Sequence, residues 1–267
     1  MRKFAALAAV VAIALTAVAI APGQTGDAVV DDNAHPNVGA FLLPRADGSL
    51  RIICSGSLAS PRVFLTAGHC TDAALSRGFE RTYVTFDPYF GLNSDGSITE
   101  TPYVGTVINS PTYKPPYIND WGIILLDEPV EGIDPVTIAP VGFLDGLRAA
   151  RTIDDVAYVN VGYGTAEQLV VPRIGPTFPF DGIRKWTISG FHALDPSFIH
   201  LNQNLRQGYS GTGYGDSGGP TFVDTATGPV QISVVSTGDV ALYATSVNTR
   251  IDTAEVQDWL APYLAMP

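Results

Sequence analysis

Val63-Phe64-Leu65-Thr66, four residues rich in branched and aromatic side chains, leads directly into Ala67-Gly68-His69-Cys70. An apolar run this short, bounded by small residues, reads as a strand, because four residues cannot complete the turns that a packed helix needs. Runs of the same kind recur along the chain between Gly, Pro, Asn and Asp clusters: Val38 to Leu43, Leu50 to Ser55, Thr82 to Phe86, Tyr103 to Ile108, Gly122 to Leu126, Val156 to Val161, Trp186 to Ser189, Val230 to Ser236 and Ala241 to Ile251. Many short strands without long helical segments between them predict an all-β sandwich or barrel pair. No self-similarity at the period of a propeller blade or solenoid repeat is visible. The one clear helical pattern is C-terminal. There Asp252 is the expected cap, Glu255 follows three residues on, and Val256, Trp259, Leu260 and Tyr263 share a face.

Composition narrows the function. The 267 residues hold 15 Lys+Arg against 26 Asp+Glu, a formal net charge of −11 with no basic cluster. Affinity for a phosphate backbone rests on Lys and Arg, so a nucleic-acid partner is excluded. Met1-Arg2-Lys3 followed by Phe4 to Ile20 without a charge reads as a secretory signal over residues 1–28, with cleavage after Ala19 or Ala28. A secreted, extracellular protein is expected, without stable membrane association once the signal is cleaved. An uncleaved anchor is the other reading of an apolar segment at the lower limit for spanning a bilayer. In an oxidising compartment the only two cysteines, Cys54 and Cys70, are expected to pair, two buried thiols being the alternative. The acidic, proline-rich stretch from Glu128 to Pro140 is the candidate link between an N-terminal half, 29–135, and a C-terminal half, 136–267.

Three segments carry chemistry. Taken singly, His69 after its strand, Asp120 at the mouth of the apolar run Gly122 to Leu126, and Ser217 within Gly215-Asp216-Ser217-Gly218-Gly219-Pro220 are each commonplace. A glycine-rich run lets backbone amides approach a reacting atom, but it is more often an ordinary turn. Taken together and in this order, the three resemble the trypsin and chymotrypsin-like serine peptidases. Cys54-Ser55-Gly56-Ser57-Leu58, Gly162-Tyr163-Gly164-Thr165 and Ser236-Thr237-Gly238 resemble further segments of that family, with Tyr163 and Thr237 where relatives carry Trp. The likeness covers residues 29 to 264.

The resemblance implies two antiparallel Greek-key β-barrels with a C-terminal helix, and hydrolysis of peptides or proteins by a monomer that needs no cofactor or metal. It assigns Ser217 as nucleophile, His69 as base, Asp120 as the group orienting the imidazole, the amides of Gly215 and Ser217 as the oxyanion hole, and Ser236 as a partner of Asp120. It also pairs Cys54 with Cys70. The specificity pocket falls on Gly211, Thr212, Gly238 and Ser246. With Gly211 at its floor the pocket has no acid to hold Lys or Arg, and Gly211, Gly213 and Gly238 read as an open slot for Leu, Phe or Tyr. Asp239 is the one nearby acid that could turn inward. Gly213 stands where relatives often place a cysteine, so that brace is missing.

Activation is expected to differ. The nearest counterpart of the family's freed terminus, Val29-Val30-Asp31-Asp32, lacks its glycines, and Asp216 is expected to find other partners. Asn93-Ser94-Asp95-Gly96-Ser97 lacks the closing Glu of a calcium loop and reads as a turn. A nucleophile-elbow esterase fold is excluded by order, because His35, His69, His192 and His200 all precede Ser217. Two readings stay open beside the peptidase: a catalytically silent homologue that binds a protein partner, and an esterase using the same three residues.

Overall fold

A computed structural model describes residues 28–90, 101–165, 169–171, 175–177 and 180–266. The expected signal segment, 1–28, falls outside the described residues except for Ala28, and the loop Asn93 to Ser97 lies outside them altogether. Among the described residues no helix is long and apolar enough to cross a membrane.

After a two-residue strand β1 (Val29–Val30) come β2 (Val38–Pro44), β3 (Leu50–Ser60), β4 (Val63–Thr66), helix α1 (Gly68–Leu75), β5 (Arg81–Thr85), β6 (Tyr103–Asn109) and β7 (Gly122–Leu126). Strands β2 to β7 close into an antiparallel barrel in the order β2-β3-β4-β7-β6-β5. Helix α2 (Phe143–Ala150) precedes β8 (Tyr158–Gly162), the hairpin β9 (Leu169–Val171) and β10 (Gly175–Thr177), then β11 (Lys185–Leu194), β12 (Phe198–Asn202), β13 (Pro220–Thr225), β14 (Gly228–Gly238), β15 (Thr245–Arg250) and helix α3 (Ala254–Leu264). Here β11-β12-β15-β14-β13-β8 form the second barrel, closed by pairing of β8 with β11, while β1 adds to the free edge of β11. With strands renumbered within each barrel, both read 1-2-3-6-5-4. The fold is chymotrypsin-like.

Each barrel closes on its own apolar interior. Phe41, Leu58, Phe64, Val84 and Ile124 fill the first, and Tyr158, Ile199, Leu201, Val223 and Ile232 fill part of the second. Burial of each such side chain contributes about 1.5–3 kcal/mol. A third cluster lies between them, where Leu65 and Ile123 of the first barrel meet Val234 and Ile251 of the second, with Val256 and Leu260 of α3 packed against both. A cleft lined by residues of both barrels, His69 and Tyr117 from the first and Ser217 and Thr237 from the second, lies between them.

Several elements depart from the sequence reading. Helices α1 and α2 form although only the terminal helix is signalled. Both are eight residues long, with no side-chain cap, so packing and not local propensity sustains them. Strands β12 and β13 were also silent, the latter because it begins at Pro220, a residue tolerated at the first position of a strand. The cap of α3 is Thr253, whose hydroxyl accepts from the Val256 amide. Asp252 is unavailable, because its carboxylate binds Arg250 Nε at 2.8 Å and the Leu144 amide at 2.8 Å.

Cys54 on β3 and Cys70 on α1 are disulfide-bonded across 16 positions of sequence. Closing such a loop contributes about 3 kcal/mol in the chain-entropy treatment. The expected result is that native, unreduced protein exposes no alkylatable thiol and that a double Cys54→Ala, Cys70→Ala variant loses about that much stability in urea. Two reactive thiols in native protein would refute it.

Candidate active site

Strand β4 ends at Thr66 and the chain turns through Ala67 into α1, so His69 emerges in the first turn of the helix beside the disulfide. Asp120 precedes β7, in a turn where Asn119 takes a positive φ of 51°. The Asp120 side chain is fully buried, and a buried carboxylate requires donors. It has three. Oδ1 accepts from the His69 backbone amide at 2.6 Å, and Oδ2 accepts from His69 Nδ1 at 2.9 Å and from the Ser236 hydroxyl. An acceptor-only carboxylate at Nδ1 places the imidazole proton there and leaves the Nε2 lone pair free as a base. Ser236 belongs to β14, so the carboxylate is held from both barrels.

The turn carrying Ser217 is gripped by Ser55 of β3. The Ser55 amide donates to Ser217 O at 2.8 Å and its hydroxyl to Gly215 O at 2.9 Å, while Ser55 Oγ accepts from the Tyr163 amide at 3.0 Å. The amides of the turn divide into two sets. Asp216 N donates to Gly213 O at 3.1 Å, Gly218 N to Val235 O at 2.7 Å and Gly219 N to Asp216 O at 2.8 Å. Gly215 N and Ser217 N have no acceptor among the described residues. Their directions are nevertheless set, because the carbonyl across each peptide plane is anchored: Tyr214 O by Thr165 N at 2.7 Å, and Asp216 O by Gly219 N. In a planar trans peptide the N–H points opposite to the C=O, so both free N–H groups are preorganised. Gly218 makes the grip possible, since its φ is +81° and a Cβ there would lie 2.1 Å from Thr66 Oγ1.

Asp216 is buried and accepts from Gly164 N at 2.8 Å and Gly213 N at 2.7 Å. Val29-Val30, the nearest counterpart of the family's freed terminus in the sequence, is instead an edge strand paired with Trp186 and Lys185. Asp31, after it, joins Arg184 and His35.

His69 and Ser217 line one cleft of about 360 Å³, together with Tyr117, Thr212, Thr237 and Gly238. Tyr117 was missed in the sequence reading. It stands edge-on to His69, ring centroids 5.5 Å apart at 89°, on a tight loop closed by mutual Lys114–Ile118 backbone hydrogen bonds. The Pro115-Pro116-Tyr117 turn signal was visible, but not its direction.

The specificity residues are only partly brought together. Thr212 lines the cleft and its hydroxyl meets Ser246 Oγ at 2.8 Å. Gly211 is set back and buried, and the open slot expected beside it is filled. A Cβ on Gly211 would lie 2.1 Å from Oε1 of Gln203, a buried residue that the sequence reading did not single out. Leu242, also buried, closes on Gly213 from the other side. Asp239 lines the cleft, with its carboxylate turned to the backbone of its own loop and Gln203 Nε2 at 3.5 Å from Oδ1. Its oxygens accept from the amides of Tyr243 at 3.0 Å, Ala244 at 2.9 Å and Thr245 at 2.8 Å. Burial pushes its carboxyl up, but these three amides outweigh it and hold the group below the usual range. That clamp, with the Tyr214 hydroxyl donating to Val240 O at 3.2 Å, braces the loop where the missing cysteine left no covalent tie.

Among the described residues, the only grouping with metal-ligand spacing is Cys54, His69 and Cys70, and its two sulfurs are spent on the disulfide. A comparison with curated proteins returns no match. The family model described as Trypsin matches residues 25–260. With its two closed barrels and a cleft across their seam, the chain belongs to the trypsin family of serine peptidases.

Proposed function

We propose that the protein is a secreted serine endopeptidase that cleaves peptide bonds through His69, Asp120 and Ser217 by way of an acyl-enzyme. One observation carries the reading: His69, its tautomer set by a buried, triply bonded Asp120, shares a cleft with a serine flanked by two preorganised, unused amides. Ser217 Oγ attacks the scissile carbonyl while His69 Nε2 takes its proton and then returns it to the leaving amine. Asp120 and Ser236 steady the imidazolium. The Gly215 and Ser217 amides receive the oxyanion, where one such donor is worth about 3 kcal/mol of barrier. Water then reverses the sequence to release the acid. Secretion is supported by the charged start and apolar run at Met1 to Ile20 and by the disulfide. The chain divides into two barrel domains near residue 135, where the Val136 amide still bonds Leu58 O while Ile138 already bridges Gln231.

Labelling with a fluorophosphonate tests the nucleophile, and digestion of a peptide library distinguishes a peptidase from an esterase. Failure to label would favour the silent homologue. The Asp239 clamp adds a check on the cleft. Hydrogen bonds to a charged group are worth about 1.5–3 kcal/mol each, so Asp239→Ala is expected to raise KM about tenfold with a smaller change in kcat. Because the folded carboxyl is held low, the clamp is complete above the ordinary Asp range, about pH 3.9, and is lost as pH falls through the lower folded value. In the parent enzyme KM should therefore rise only in that acid window, and in the variant that rise should be absent.

A further inference from the structure

A chain of buried polar side chains crosses the interior of the second barrel and ends at the cleft. From the far end, Ser189 Oγ donates to Ser210 O at 2.7 Å, Asn160 Nδ2 lies 2.8 Å from Ser189 Oγ, and Thr221 Oγ1 lies 3.0 Å from Asn160 Oδ1. Asn248 Nδ2 follows at 2.9 Å from Thr221, Ser246 Oγ at 2.7 Å from Asn248 Oδ1, and Thr212 Oγ1 at 2.8 Å from Ser246. Every member is at most 6% exposed.

The direction of this chain is forced. A carbonyl only accepts, so the single proton of Ser189 goes to Ser210 O, and Asn160 must donate to Ser189 with its amide nitrogen. Its oxygen then faces Thr221, which must donate to it. Asn248 must in turn donate to Thr221, Ser246 to Asn248, and Thr212 to Ser246. Reversing any one amide would set two donors or two acceptors against each other, so the order does not depend on how the amide atoms are assigned. The Thr212 proton is thus committed inward, and its oxygen is left with lone pairs alone. Its amide is also spent, donating to Gln203 Oε1 at 3.1 Å. The same Gln203 fills the space beside Gly211, and Leu242 closes the other side, so the pocket at Thr212 is short.

Resting on the peptidase reading, we propose that the cleft selects a short, uncharged side chain that donates a hydrogen bond, Ser, Thr or Asn, before the scissile bond. An acidic side chain would set acceptor against acceptor and leave a buried charge unpaired. A Lys or Arg would have to draw on the Asp239 carboxylate at the cleft wall, which is turned to the amides of its own loop and would have to give up those bonds to pair with it. A long aromatic side chain meets Gln203.

The test uses peptides matched in size at that residue, Thr against Val and Asn against Asp. Their hydrolysis is measured with the parent protein, and their binding to Ser217→Ala by calorimetry. The expected result is Thr over Val by about fivefold and Asn over Asp by a hundredfold or more. Thr212→Val, nearly the same shape, should remove the Thr preference. Ser246→Ala frees the Thr212 proton to turn outward and should cut the Asn over Asp ratio at least tenfold. Both variants are first checked for an unchanged circular-dichroism spectrum. Val bound or cleaved as well as Thr, or an unchanged Thr preference in Thr212→Val, would overturn the proposal. Because binding is read separately, ratios that hold in binding to Ser217→Ala while the parent does not hydrolyse the peptides support the pocket assignment and defeat the peptidase reading alone.

Discussion

Ser217→Ala is expected to lower peptide hydrolysis about a millionfold while moving the thermal midpoint by no more than a degree or two. The two halves of this expectation have separate physical grounds. The Ser217 side chain makes no hydrogen bond to protein among the described residues. The turn is held instead by backbone groups and by Ser55, through Ser217 O and Gly215 O, and all of these survive the substitution. Removing one hydroxyl from a partly exposed position should therefore leave the fold intact. The chemistry loses its nucleophile, and the remaining His69–Asp120 pair then has no proton to take. Residual turnover would come from the oxyanion amides acting on bound water. Steady-state assays on a cleaved library peptide, alongside calorimetric unfolding, check both halves. Equal turnover by variant and parent would defeat the triad assignment.

Arg184→Met is expected to cost about 3–5 kcal/mol of stability, on the order of 10 °C in midpoint. Arg184 lies immediately before β11, and its side chain is fully buried. Nε donates to Asp31 Oδ2 at 2.8 Å, Nη1 to Val38 O at 2.7 Å and Phe86 O at 3.0 Å, and Nη2 to Asn33 Oδ1 at 2.7 Å. One guanidinium from the second barrel thus ties down the N-terminal segment and two carbonyls of the first. Methionine fills much of the volume but leaves Asp31 as a buried carboxylate with His35 as its remaining side-chain partner, and removes a donor from each of the two carbonyls.

The pH dependence identifies the cause. Burial raises the Asp31 carboxyl, but the hydrogen bond from His35 and the charge of Arg184 outweigh it and hold the group low. In the parent, the resulting stability is fully present above about pH 3.9 and is lost as pH falls through the lower folded value. Without Arg184 the carboxyl loses one of the groups that hold it low and its folded value moves up, so protonating Asp31 costs the variant less than the parent. The stability gap between parent and variant should therefore narrow as pH is lowered below the ordinary Asp value, about pH 3.9, through the acid range in which Asp31 takes up its proton. Urea midpoints at several pH values measure it. A gap below 1 kcal/mol at neutral pH, or one that is flat with pH, would show that Arg184 is not the latch described.

How much of this was legible beforehand differs by element. Gly122 to Leu126 and Val63 to Thr66 form strands with the bounds their apolar runs suggested, because a fully apolar stretch of four or five residues between turn signals has few other ways to be buried. The residues proposed for catalysis stand out in the sequence because each lies in a short segment whose composition is itself the requirement: small residues around Ser217, a strand that ends three residues before His69, an acid at the mouth of β7.

The repeated 1-2-3-6-5-4 strand order of the two barrels was not legible. Barrel closure demands alternation of buried and exposed positions and imposes no particular side chains, so two unrelated sequences satisfy one topology. Gly211 was read as space because an absent side chain carries no record of what fills the gap. Gln203, eight positions earlier, occupies it, and only the pairing of β12 with β15 and the turn after it bring the two together. Asp252 had the chemistry of a helix cap as surely as Thr253 did, and competition from Arg250 and the Leu144 amide decided between them. The sequence by itself determined the all-β class, the family, and the groups proposed to carry the chemistry, since these rest on local patterns of residue type. Tertiary structure alone decided the depth of the pocket, the latch at Arg184 and the direction of the hydrogen bonds behind Thr212. Each of these depends on which distant groups compete for one donor, one acceptor or one volume, and a linear order of residues does not encode that competition.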